Sequence, residues 1–174
     1  ALTCLTGNHD AAVLGEIDVD AFNYEARAGV MWTKRVLNSS NARFLRSQVP
    51  MTLLETATLA HGSPRSPIWE YILDTATAAA NFEHFKTPFC FVGHTHVPAI
   101  FREQPEPSYN AGLLIPEPNS VIQLEPRMIV NPGSVGQPRD RDPRAAYALL
   151  DTETWRLDYR RVPYDVEAVQ QRMK

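Results

Sequence analysis

Residues 89–96 read "FCFVGHTH": four apolar or aromatic residues, one glycine, then two histidines separated by a threonine. An apolar run of this length stopped by glycine has the composition of a buried strand, with a polar tip starting where the strand ends. The same form occurs twice upstream. "TCLT" at 3–6 runs into Gly7-Asn8-His9-Asp10, and "ATLA" at 57–60 runs into His61-Gly62. The chain has five histidines, and four of them stand at these three tips. Packing alone gives no reason for that repetition.

Between the tips the pattern changes period. Residues 20–37 predict a helix with Asp20 as N-cap and Phe22, Ala26, Val30, Thr33 and Leu37 at three- and four-residue intervals. A shorter helix is expected over 41–48, ending before Pro50. After Pro67, residues 68–85 predict another, with Ile68, Tyr71, Ile72, Ala76, Ala79 and Phe82 on one face. Beyond Pro98, the prolines at 105, 107, 116 and 118 mark a loop, with 103–119 expected to be a mobile surface segment. Residues 120–124, 127–131, 145–151 and 154–162 then alternate as half-buried strands, and 165–174 closes as a helix. Helices between strands in the first half predict parallel pairing, and consecutive strands in the second predict antiparallel pairing. One α/β sandwich domain over 1–174 satisfies both, and 174 residues can bury a sizeable core.

Composition narrows the function classes. A hydrophobic share of 44% and a charged share of 21% are ordinary for a globular protein. A net charge of −3 carries no basic footprint, so no dedicated nucleic-acid surface is expected. Cys4 and Cys90 lie in apolar runs and read as small buried hydrophobes, outside any disulfide framework. No run of about 18 apolar residues could span a membrane, and no signal-peptide pattern opens the chain. The expected location is cytoplasmic, with no membrane partner.

In open α/β sheets ligands bind beyond the carboxyl ends of parallel strands, so the three tips are expected to meet. His94 and His96 are two apart, and in an extended segment both rings point the same way. Imidazoles accompanied by the neutral amide oxygen of Asn8 suit Zn, Fe, Ni or Mn, away from thiolate zinc. Taken singly, Asn8 reads as a turn residue, Asp10 as a cap and His61 as a satisfied polar group. Together they read as a metal site. His84, near a helix end, reads as a dipole contact and stays outside it. Asn131-Pro132-Gly133-Ser134 is a tight turn, and Arg139, Arg141 and Arg144 read as a solvated cluster with Asp140 and Asp142 rather than an anion-facing rim.

"GNHD", "HG" and "GHTH", in that order, resemble the last three signature blocks of the calcineurin-like metallophosphoesterase superfamily. "VNPGSVGQPRDRDPRAAYALLD" at 130–151 resembles its bacterial phosphodiesterase branch. The resemblance implies an α/β/β/α sandwich of two mixed sheets flanked by helices. It also implies two divalent metal ions, of Mn, Fe, Zn or Ni with Mn favoured. Asn8, His61 and His94 would coordinate one metal and His96 the other; His9 would donate a proton to the leaving group, and Asp10 would hold the loop. The implied reaction is hydrolysis of a phosphate mono- or diester, on a small phosphoester or nucleotide-like substrate. Two earlier blocks of the family, Asp-x-His and Gly-Asp-x-x-Asp, are not in the sequence, and no Asp precedes Asp10. The expectation is therefore an incomplete sandwich, the C-terminal portion of the enzyme, with N-terminal strands and ligands missing and self-association through exposed edges. The rival readings are a phosphoesterase-like scaffold or binding protein without turnover, and a mononuclear module using Asn8, His61 and His94.

Overall fold

A computed structural model describes residues 2–105 and 109–172. Its helices are α1 (Asn8–Leu14), α2 (Tyr24–Val36), α3 (Ser39–Arg46), α4 (Thr75–Asn81) and α5 (Val166–Arg172). The strands are β1 (Met51–Leu53), β2 (Ala57–Ala60), β3 (Phe89–Val92), β4 (Ala99–Arg102), β5 (Gly112–Leu114), β6 (Val121–Gln123), β7 (Met128–Asn131), β8 (Ala145–Asp151) and β9 (Arg156–Val162). They form a six-stranded mixed sheet in the order β1-β2-β3-β7-β4-β5 and a three-stranded antiparallel sheet in the order β6-β9-β8. The α/β class with two sheets and flanking helices is the one the sequence predicts.

Side-chain alternation builds both faces of the larger sheet. Phe89, Ile100, Met128 and Val130 point to one side, where they meet Leu124 and Leu157 of the smaller sheet's layer. Cys90, Val92, Phe101 and Ile129 point to the other, against Ile72, Ala78, Phe82 and Phe85 of the helical layer. Neighbouring residues in one strand therefore serve different cores, as a period of two requires. A third, separate cluster joins Ala12 and Val13 of α1 to Val30 of α2. Parallel pairing of β2 with β3 and of β3 with β7 aligns their carboxyl ends at one edge. The antiparallel pairings of β4 with β7 and β8 with β9 follow the second-half expectation.

Several elements differ from the sequence reading. Residues 3–6 form no full strand; Leu5 makes a single parallel bridge to Val49, and the Thr6 N–H donates to the Val49 carbonyl at 3.1 Å. The predicted helix over 20–37 begins only at Tyr24, because Asn23 caps it through a bond from the Ala26 N–H. The predicted helix over 68–85 is confined to Thr75–Asn81 and a following 3-10 turn at Phe82–His84. Two competitors explain this: Asp74 caps α4 from outside, accepting the Thr77 N–H at 2.7 Å. Upstream, the Glu70 carboxylate accepts from Ser63 at 2.6 Å and Asn81 at 2.7 Å and pairs with Arg65, which folds 63–73 into a knot of side-chain bonds. The apolar signal at Ile72 was burial without helix. The loop expected beyond Pro98 contains β4 and β5, which pair antiparallel with each other. Within the segment expected to be mobile, residues 106–108 lie outside the described residues, as do the last two residues of the expected C-terminal helix.

Ile129 lies fully buried in β7, between β3 and β4. Ile129→Ala should lower unfolding free energy by about 2–5 kcal/mol in urea titration. A loss below about 1 kcal/mol would mean that this strand does not carry the core.

Candidate metal centre

The three tips are laced by backbone. The bridge at Leu5–Val49 brings the first tip beside Pro50, whose carbonyl accepts the His61 N–H at 2.9 Å. The His61 carbonyl in turn accepts the Gly93 N–H at 2.9 Å. At the first tip Gly7 is the N-cap of α1, and its N–H donates to Asp10 Oδ2 at 2.8 Å. A Cβ on Gly7 would stand 2.6 Å from His61 Cε1, so only glycine lets the first and second tips approach this closely.

The segment 93–96 is not extended. His94 and His96 both adopt the left-handed backbone conformation, at φ 60° and 61°. A tight turn takes the place of the strand continuation, with the Thr95 N–H donating to the Gly93 carbonyl at 2.6 Å. Asn131, at the end of β7, fixes that turn: its Nδ2 donates to the Gly93 carbonyl at 2.8 Å and to Thr95 Oγ1 at 2.9 Å. Its Oδ1 accepts the Gly133 N–H at 2.9 Å, which ties the 131–134 turn to the same loop.

Three predicted donors meet. His61 Nε2 lies 3.2 Å from Asn8 Oδ1 and 3.1 Å from His94 Nδ1. Asn8 and His94 are each only 5% exposed, so this polar contact is inside the molecule. His94 is walled by Tyr71, with ring centroids 4.0 Å apart, and by Trp69 at 6.5 Å. His96 stands apart from the trio, its Nδ1 donating to the Gln137 carbonyl at 2.8 Å. A carbonyl can only accept, so the proton is on Nδ1 and the lone pair on Nε2. His9 is exposed and packs edge-on against Phe22 at 4.9 Å.

Burial lowers the pKa of all four imidazoles. His94 falls to about 4, through burial first, then the neighbouring His61 ring, with the Trp69 backbone pulling in the opposite direction. His61 is lowered by burial against the raising influence of Asp10. His9 is lowered by burial, offset by Asp10 and pushed further down by Arg139; His96 is lowered by burial and Arg139. Neutral rings with free lone pairs are the form that binds cations. The sequence reading missed Asn131 as an organiser, although it too stands at a strand tip, and it missed the aromatic wall of Phe22, Trp69 and Tyr71. It also grouped Arg139 with Arg141 and Arg144; the structure gives Arg144 to Asp142 and Arg161 to Asp140, while Arg139 stands beside the histidines.

Residues 1–155 match the calcineurin-like phosphoesterase superfamily domain, and the chain belongs to this family. A metallophosphoesterase from Sphaerobacter thermophilus has the same fold, with a TM-score of 0.86 and 43% identity, over 97% of this chain and 69% of that one. An uncharacterized protein of Methanocaldococcus jannaschii is 34% identical over 95% of this chain and 68% of its own length. A hypothetical protein of Pyrococcus horikoshii shares the fold, with a TM-score of 0.74 at 20% identity, over 98% of this chain and 66% of that one. The chain thus spans about two thirds of the length of these relatives. Among the described residues no helix is long and apolar enough to cross a membrane.

A ring-proton NMR titration should show His94 neutral from pH 8 to below pH 5, with its midpoint near 4. Because the unfolded histidine binds a proton near pH 6.5 and the folded one does not, this group makes stability fall as pH drops from about 6.5 to 4. A His94 midpoint at 6 or above would mean that the ring is solvated.

Proposed function

We propose that the protein hydrolyses phosphate mono- or diesters at a metal centre whose ligands in this chain are Asn8, His61, His94 and His96. The observation that carries this is the convergence of Asn8 Oδ1, His61 Nε2 and His94 Nδ1 at 3.1–3.2 Å. One proton on His61 Nε2 has to be shared between the amide oxygen and His94 Nδ1, and with that nitrogen bare its lone pair faces the Asn8 oxygen unrelieved. A cation would satisfy all three donors. Ligands at about 2.0–2.2 Å from one ion and at right angles to each other stand about 3 Å apart, which the Asn8–His61 and His61–His94 separations match. Among the described residues no three His, Cys, Asp or Glu side chains are placed to hold an ion together, so the proposed set relies on the neutral amide of Asn8. His96 offers Nε2 to a second ion, its ring fixed by the Gln137 carbonyl as metal-bound imidazoles commonly are.

Divalent ions held there would supply Lewis acidity to the phosphoryl oxygens and a more acidic water. Mixed oxygen and nitrogen donors favour manganese among the candidates named above. His9 serves as the proton donor to the departing oxygen. Its lowered pKa rises again when an anionic ester arrives beside it, since negative charge favours the imidazolium. Asp10 acts indirectly, because its carboxylate holds the Gly7 N–H and so keeps Asn8 and His9 in place. The bridging carboxylate and the remaining ligands are proposed to come from sequence outside these 174 residues, in keeping with the two-thirds span of the relatives.

Two variants of the natural full-length protein test this. His9→Ala should lower kcat by about 10²–10⁴-fold on an aryl phosphodiester with added manganese, while metal content measured by plasma emission stays near the parent's. Metal loss in that variant would assign His9 to coordination instead. His94→Ala should cost about one bound ion per chain, and full occupancy would remove His94 from the ligand set.

A further inference from the structure

A cavity of about 510 Å³ opens between α1 and α2, lined by His9 but by none of Asn8, His61 and His94. Its wall carries His9 and Arg139 along with the carboxylates of Asp10 and Glu25, and Gly29 and Trp32 lie on its helical side. Arg139 has no carboxylate partner among the described residues; its Nη2 donates to Gln137 Oε1 at 3.1 Å. Gly29 is the unexplained member. Glycine weakens a helix interior, yet Gly29 sits in the middle of α2. A Cβ there would meet no atom within 4 Å, so no packing contact demands glycine. What its absent side chain leaves is room in the cavity, three residues from Trp32 on the same helix face.

The geometry points to this cavity as the subsite for the leaving group of the ester, and to that group as an alcohol carrying a flat aromatic ring, whether a phenol or a nucleoside. The inference rests on the hydrolase reading above, because it takes His9 as the donor to the departing oxygen. A group whose oxygen is protonated by His9 lies beside His9, and this cavity is walled by His9 itself and by Gln137 and Arg139, which bond His96. Its volume suits one aromatic unit with its linker. Gly29 leaves open space beside Trp32 for a ring, and Arg139, close enough to act on His9, places a cation near the oxygen on which negative charge develops.

The test uses the natural full-length protein with manganese and its Gly29→Leu variant, comparing phenyl phosphate with ethyl phosphate by phosphate release. Taking each substrate's rate relative to the parent cancels its intrinsic reactivity. The expected result is a fall of at least ten-fold in the ratio of kcat/KM for phenyl over ethyl phosphate, with Tm equal to or above the parent's. An unchanged ratio in a folded variant overturns the subsite while leaving the hydrolase reading intact. If the parent turns over neither of these monoesters nor an aryl phosphodiester, the hydrolase reading fails, and binding of phenylphosphonate, followed by tryptophan fluorescence without metal, decides the subsite alone. Saturable binding weakened at least ten-fold by Gly29→Leu supports it; no binding, or binding unaffected by the variant, overturns it.

Discussion

His61 is held at both ends of its backbone and meets two other polar groups at the tip of its side chain. Its N–H is bonded to the Pro50 carbonyl and its carbonyl to the Gly93 N–H, so the second tip cannot shift without dragging the other two. Its Nε2 then lies between Asn8 and His94. The parallel register of β2 with β3 sets where His61 and Gly93 stand, and the missing side chain of Gly7 lets α1 close onto the imidazole. Every other feature of the centre is arranged around this one residue.

That arrangement costs stability. Two non-glycine residues in the left-handed region, His94 and His96, cost about 1–3 kcal/mol each. Buried neutral imidazoles forgo the hydration they would have in the unfolded chain. Asn131 offsets part of this with three hydrogen bonds to the loop backbone and Thr95, each contributing about 1 kcal/mol net. The Glu70 cluster does similar service on the other side. Its carboxylate is held at about 2 by bonds from Arg65, Ser63 and Asn81 that outweigh burial, and it fixes the segment that presents Trp69 and Tyr71 to His94. Such strain persists where the surroundings over-determine it, as they do here.

Much of this was legible in the residue order. Three glycine-bounded tips located Asn8, His61 and His94, and alternation in β7, β8 and β9 located the antiparallel half. What escaped depended on competition between nearby groups. The helix expected from Ile68 to Phe85 lost its first half to Glu70, whose carboxylate gathers Ser63, Arg65 and Asn81, and to Asp74, which starts the helix late by accepting the Thr77 N–H. The extended reading of 93–96 failed because the turn is set by Asn131, 35 or more residues distant in sequence, and period-two reasoning holds only while the ladder continues. β4 and β5 were hidden among prolines, since strands of three or four residues give little periodicity to read. Gly29 left no sequence signal at all: only the open space at its Cα shows that packing does not require it.

The central claim is that one cation sits among Asn8, His61 and His94. Crystals of the natural full-length protein grown with manganese, with data collected at the manganese absorption edge, test it most directly. The expected result is an anomalous peak about 2.0–2.3 Å from Asn8 Oδ1, His61 Nε2 and His94 Nδ1 together. A peak bound elsewhere, or ordered side chains of these three residues with no peak between them, would contradict the account.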